Sequence, residues 1–242
     1  MRAVLCGANG AMGKLIREIL GSEIVGLVSL DGENGVPKTF GELGKVDCDT
    51  VIDFSHHSAV ADVLDYAQSC GAAAVIGTTG HTPEEKDKIF AAAQNIPVFY
   101  AGNVSMGIAV LCRLVKQAAA FFPDADIEIV ETHHTRKVDA PSGTALMLFN
   151  AVKEVRPEAY ANCGRSGEGK RDKKEVGIHA LRLGSVVGVH EVHIHTQNQS
   201  LTLRHESGSR EMLAEGGVAA ARFMAGKGKG IYGMEDVLNQ IG

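Results

Sequence analysis

Five short apolar runs alternate with helical patterns across roughly the first hundred residues, and this alternation constrains the chain more than any other feature. The runs are AVLCG at 3–7, EIVGLVSL at 23–30, TVIDFS at 50–55, AAAVIG at 72–77 and PVFYAG at 97–102. Between or after them come AMGKLIREIL, AVADVLDYAQSC, a helix opened by Thr82-Pro83-Glu84-Glu85, and the long apolar SMGIAVLCRLVKQAAAFF. Thr is a good N-cap, and Pro is well placed in a first helical turn. Strands that alternate with helices pair in parallel through right-handed crossovers, so this part predicts a doubly wound α/β sheet.

Beyond residue 122 the rhythm changes. DIEIVETHH is strand-like and SGTALMLFNAVKEV helical, and NCGRSGEGKRDKK, between Pro157 and Val176, reads as a mobile loop. IHALRLG, VVGVHEVHIHT and SLTLRHES alternate with a period of two and have no helix between them, which predicts a mostly antiparallel sheet. SREMLAEGGVAAARFM returns to helix, and the tail GIYGMEDVLNQI is expected to pack back on the first domain. The fold class is therefore α/β: a Rossmann-like dinucleotide-binding domain, 1–104 with 214–242, and an α+β domain, 105–213.

Composition narrows the function. Hydrophobic residues make 45% and charged residues 22% of the 242, which is ordinary for a globular protein. A net charge of −5 without a long basic run, and without a strongly basic helix, argues against nucleic acid as partner. The five cysteines form no CxxC pair, so neither a disulfide framework nor a structural zinc site is expected. The opening MRAVLCG has no signal-peptide layout, and no run of about eighteen apolar residues suggests a membrane span. The expected setting is the cytoplasm.

GANGAMG puts Gly7, Gly10 and Gly13 directly after the first strand and into the first helix, with Ala11 and Met12 between them. Glycines there let a pyrophosphate approach backbone amides at a helix N-terminus. A P-loop is excluded, because Lys14 is followed by Leu15 and the required first glycine is Ala8. Asp31, at the end of the second strand, is placed to bind ribose hydroxyls. No arginine or lysine follows it directly to neutralise a 2′-phosphate, so the sequence favours NADH, with NADPH as the alternative. Other strand-end loops add small polar groups: Ser55, then Gly77-Thr78-Thr79-Gly80, then Gly102, Asn103 and Ser105.

The densest chemistry lies in ETHHTRKVDAPSGTA, 131–145. Adjacent strand residues point to opposite faces, so His133 and His134 are poorly placed to share a metal, and no metal site is expected. Lys137 can supply a point charge, and Ser142, Gly143 and Thr144 open a helix whose free amides suit a carboxylate or phosphate. A histidine exchanges a proton near neutral pH. His190, His193 and His195 read as sheet surface rather than a metal site. Arg182 and Arg210 read either as neighbours of the substrate or as solvated cations.

This stretch resembles the signature E-x-H-H-x-x-K-x-D-x-P-S-G-T-A of the dihydrodipicolinate reductases of bacterial lysine biosynthesis. GANGAMG, VIDFS, IGTTG, AGNVSMG and the SREMLAEGGVAAARFM helix extend the resemblance along nearly the whole chain. It implies an NAD(P)H-dependent reductase of a small cyclic dicarboxylate, assembled as a homotetramer. It implies His133 as catalytic acid with Lys137 as its partner, and substrate held by His134, Lys137, Ser142, Gly143 and Thr144. Gly7, Gly10, Ala11, Met12, Gly13, Asp31, Ser55, Gly77, Thr78, Thr79, Gly102, Asn103 and Val104 would line the cofactor site. The chain departs from the pattern at Gly32, where relatives often carry a basic residue, and at Val104, where they carry an aromatic one.

Overall fold

The structure, a computed structural model, describes residues 1–241. It runs through β1 (Ala3–Cys6), α1 (Ala11–Leu20), β2 (Ile24–Val28), α2 (Phe40–Leu43), β3 (Thr50–Asp53), α3 (Val60–Cys70), β4 (Ala73–Ile76), α4 (Pro83–Ala92) and β5 (Pro97–Tyr100). It continues with α5 (Met106–Phe121), β6 (Asp126–His133), α6 (Gly143–Lys153), β7 (Tyr160–Cys163), β8 (Glu175–Arg182), β9 (Gly188–His195) and β10 (Ser200–Ser207). It closes with α7 (Glu211–Met224), β11 (Gly230–Tyr232) and α8 (Met234–Ile241). Two compact units result, Met1–Met106 with Glu211–Gly242, and Gly107–Arg210.

The first unit is built on an all-parallel sheet in the order β11-β5-β4-β3-β1-β2. Strands β1, β3 and β4 are buried at every position, as continuous apolar runs covered on both faces should be. The chain runs outward from β1 in one direction to β2 and in the other to β3. The C-terminal ends of β1 and β3 therefore form the switch point where open α/β sheets bind ligands. Helix α4 starts as its sequence predicts: Thr82 and Glu85 close a reciprocal capping box, with Pro83 in the first turn. The tail returns to this unit, with α7 packed on α1 and across β3, β4 and β5, and with β11 extending the sheet beside β5.

The second unit has a five-stranded sheet in the order β10-β9-β6-β8-β7. It is mixed rather than mostly antiparallel: β10–β9 and β9–β6 are antiparallel, whereas β6–β8 and β8–β7 are parallel. The reason is α6, which turns the passage from β6 to the next strands into a crossover, and crossovers return the chain in the same direction. Strand β7, short and only partly buried, lies inside the stretch expected to be a mobile loop. Beyond it, Arg165 and Arg171 pin the segment by ion pairs to Glu128, Glu175 and Asp126. One face of the sheet carries Ile127, Ile129, Val176, Ile178, Val192 and Ile194, and these pack with Ile108, Leu111 and Val115 of α5 and Leu148 and Val152 of α6.

Candidate active site

In the second unit the apolar face of the sheet runs directly into a polar cluster. Along β6 the residues on one face are Ile127, Ile129, Glu131 and His133, because strand side chains alternate. Register supplies their neighbours. Arg182 of β8 pairs with His133, while His190 of β9 pairs with Glu131. Gly188 follows on β9, and a Cβ there would lie 3.2 Å from His133 Nε2, so the glycine leaves the imidazole its space.

Glu131 is the hub of this cluster and is wholly inaccessible to solvent. Arg182 grips it with both ends of its guanidinium, Nη1 donating to Oε2 and Nη2 to Oε1, each at 2.9 Å. The Ser142 amide donates to Oε1 at 3.0 Å, and His133 Nδ1 lies 2.5 Å from Oε2. Burial pushes the carboxyl pKa up, but these hydrogen bonds outweigh it and hold the group below the usual carboxylate range. An ionised carboxylate only accepts, so the shared proton belongs to Nδ1, and Nε2 is the nitrogen left to exchange one. Beside it, burial and the charge of His133 press His190 down to about 4, so this ring is neutral. Its edge meets the His133 ring at 5.1 Å, and its Nε2 lies 3.2 Å from Ser142 Oγ.

The loop after β6 carries the cations. Lys137 Nζ forms an ion pair of 2.8 Å with Asp139, and its hydrogen bond holds the Asp139 carboxyl low. Arg182 also donates to the Asp139 carbonyl at 2.6 Å, so one side chain ties the buried carboxylate to the loop. Ser142 is buried, and its hydroxyl caps α6 by accepting the Ala145 amide. Gly143, exposed, and Thr144, half-buried, follow in the first turn. Burial, with Arg136 and Arg210 nearby, lowers the pKa of His134, which lies at the loop's start. The structure thus gathers His133, His134, Lys137, Ser142, Gly143 and Thr144 in this unit, and adds Glu131, Arg182 and His190 to them.

The first unit carries the remaining expected residues at its strand ends. Gly7 has φ +85°, and a Cβ there would lie 2.2 Å from the Phe54 carbonyl oxygen; at Gly13 it would lie 2.1 Å from the Gly7 oxygen. Both positions therefore require glycine, and Gly10, Ala11 and Met12 complete the turn into α1. Asn9 joins this turn to Asp31, donating to its Oδ1 at 2.6 Å, and the Glu33 amide adds a second bond at 3.0 Å. These two bonds, Asn9 first, hold the Asp31 carboxyl low. Lys38 lies against Gly32, with its Cε 2.4 Å from where a Cβ would be, so folding places at this strand end a cation that the adjacent sequence lacks. A cavity of about 570 Å³ opens here, lined by Val28, Leu30, Lys38, Phe40 and Tyr66.

Ser55 and Thr78 are committed to the framework. The Ser55 amide donates to Thr78 Oγ1 at 2.9 Å, and the Ser55 hydroxyl binds buried Asp53, whose pKa burial raises. Gly77 lies against the Phe54 ring, and Thr79 is exposed. Asn103 accepts the Ser105 amide at 2.8 Å, Gly102 is open, and Val104 is buried with its carbonyl facing α7 at Gly216. Val104 thus presents no side chain at the surface.

Comparison with known proteins finds matches along nearly the whole chain. "Dihydrodipicolinate reductase, N-terminus" matches residues 1–104, and "Dihydrodipicolinate reductase, C-terminus" matches residues 107–238. The chain belongs to the dihydrodipicolinate reductase family. A 4-hydroxy-tetrahydrodipicolinate reductase of Clostridium novyi is 38% identical over 98% of both chains. Its counterpart in Clostridium tetani is 39% identical over 99% of this chain and 97% of that protein. A dipicolinate-bound dihydrodipicolinate reductase from Paenisporosarcina sp. TG-14 has the same fold, with a TM-score of 0.76 at 24% identity, over 96% of this chain and 97% of that one. As a dihydrodipicolinate reductase the chain is an NAD(P)H-dependent oxidoreductase.

Sequence reading left Glu131 without a role, left Arg182 undecided and put His190 on the sheet surface. The alternation of β6 carries a signal for the first, since Glu131 continues the line of Ile127 and Ile129. His190 likewise shares the phase of Val192 and Ile194 rather than that of His193 and His195. For Arg182 the pairing of β8 with β6 was needed.

Proposed function

We propose that this chain reduces 4-hydroxy-tetrahydrodipicolinate, by way of dihydrodipicolinate, to tetrahydrodipicolinate in the diaminopimelate route to lysine, with His133 as general acid. The observation that carries the reading is His133 itself, anchored by Nδ1 to an ionised carboxylate and leaving Nε2 to give up a proton. The glycine turn at Gly7–Gly13, which has no room for a Cβ, suits a dinucleotide pyrophosphate, and Asp31 suits its ribose. A nicotinamide cofactor held in the first unit would supply the hydride that adds to C4 of the conjugated imine. His133 then protonates the carbon between C4 and the C=N group. Lys137 and the amides at Gly143 and Thr144 hold a substrate carboxylate, with His134 beside them. Ser142 serves them from within by setting the start of α6. Residues 1–104 and 214–242 take the cofactor and 105–213 the substrate.

NADH is the favoured cofactor, since Asp31, fixed by Asn9 and the Glu33 amide, suits free ribose hydroxyls, with NADPH the alternative that Lys38 would serve. Tyr66 and Phe40, stacked at 4.5 Å beside the cavity, suit an adenine ring. The protein works in the cytoplasm as a homotetramer, built on the sheet face opposite His133, where Leu181 is exposed. No helix among the described residues is long and apolar enough to cross a membrane. The test couples the purified protein to a synthase that makes substrate from pyruvate and aspartate semialdehyde, with NADH and NADPH oxidation followed in parallel. Turnover with NADH the better donor is expected. No turnover with either would overturn the reaction, and faster NADPH oxidation would overturn the cofactor assignment. Light scattering should return four times 25.5 kDa, and a single-chain mass would remove the tetramer.

A further inference from the structure

We propose that Glu131 is a positioning residue for the proton transfer: it holds His133 by Nδ1 and thereby presents a protonated Nε2 to the substrate, with Arg182 locking the carboxylate in place. This rests on the reading of His133 as general acid. The position is chemically unexpected for a carboxylate. It continues the buried line of Ile127 and Ile129, where an apolar side chain would simply extend the core. Burying a charge there is costly unless every oxygen is well partnered. All of the partners are of one kind, donors that fix direction: the two arms of Arg182, the Ser142 amide and His133 Nδ1.

The proton balance follows from that geometry. Hydride addition leaves an electron pair on the N–C–C unit of the substrate. That pair takes the Nε2 proton at carbon and restores the C=N bond. The imidazole is left neutral with its Nδ1 proton still held by Glu131, and solvent then returns a proton to Nε2. Five neighbours set the charge around the ring besides Glu131: Arg182 on β8, His190 on β9 with His205 beyond it on β10, and His134 and Lys137 in the loop. Of these six groups only Glu131 is negative, and the loop's other carboxylate, Asp139, is paired with Lys137. Removal of Glu131 takes away the carboxylate that holds Nδ1 and favours the charged form of the ring.

Glu131→Gln keeps the shape and removes the charge. We expect kcat to fall about a hundredfold or more, KM to change less than about threefold, and the alkaline fall of kcat to move down by about one pH unit. Glu131→Asp, which keeps the charge on a shorter arm, should lose less and hold the alkaline limb where the unaltered protein has it. A Glu131→Gln profile with an unmoved alkaline limb overturns the proposal, whatever its rate. If that variant fails to fold because Arg182 is left unpaired, Glu131→Gln with Arg182→Gln removes both charges and is judged by the same limb. His133→Gln, run in parallel, separates the two readings. Full turnover in that variant removes the general acid. A slow His133→Gln beside an unmoved Glu131→Gln profile removes only the role of Glu131.

Discussion

His133 and Asp31 show how far a single side chain depends on what holds it. An unperturbed histidine exchanges protons near neutral pH, but it can deliver one to a chosen carbon only if its ring is fixed. In this chain Nδ1 is anchored and Gly188 leaves room for the ring. His133→Gln should therefore lower kcat by about 10²–10⁴-fold while KM stays within about threefold, as steady-state kinetics with NADH would measure. Equal losses in both parameters would argue against a proton-transfer role. At the cofactor end, the Lys38 side chain lies over Gly32, the residue after Asp31. Lys38→Met keeps the packing methylenes and removes the cation. KM for NADPH should rise about five- to tenfold, the scale of one exposed cation–phosphate contact of about 1 kcal/mol, with KM for NADH unchanged. A parallel rise in both would place Lys38 outside 2′-phosphate recognition.

Among the elements, α6 shows how a helix start can be built to serve chemistry. Its N-cap, Ser142, gives its amide to Glu131, receives the Ala145 amide on its hydroxyl and meets His190 on the same atom. The helix is thus joined to β6 and β9 at its start. Ser142→Ala removes the cap and leaves a buried nitrogen of His190 without its partner. A loss of about 1–2 kcal/mol in stability is expected from chemical denaturation, with KM for substrate rising more than kcat falls. A KM unchanged in a destabilised protein would reduce Ser142 to a structural cap.

At the scale of the molecule, the two units carry buried ionisable groups of opposite sign in their response to acid. In the second unit, His190 stands at about 4 against an ordinary 6.5, so the unfolded chain takes the proton first. Its contribution is full above about 6.5 and is lost as the pH falls toward 4, and at about 1.4 kcal/mol per unit it amounts to about 3 kcal/mol. Glu131 and Asp139, held low, add to the same trend below the ordinary carboxylate range. Asp53 in the first unit is raised by burial, so its contribution is present in acid and lost as the pH rises through its raised value. Thermal melts between pH 7 and 4 should show Tm falling, and His190→Gln should flatten that fall between about 6.5 and 4. An identical slope in the variant would show that His190 is not the group responsible.

Much of this was legible along the chain, because it depends on near neighbours. The alternation of buried runs with helices, the glycine turn whose two tightest positions exclude a Cβ, the Thr82–Glu85 capping box and the cluster at 131–145 are all set within a few residues. What stayed hidden depends on pairing between distant segments. The parallel pairing of β6 with β8 brings Arg182 to Glu131 across 51 positions, and the antiparallel pairing of β6 with β9 buries His190 beside them. Lys38 comes to lie against Gly32, the residue after Asp31, only because the chain after β2 folds back. Local spacing fixes which side chains a segment offers. Which of them meet is decided by burial, which selects one register for a whole sheet and leaves each charged group to find its partner there.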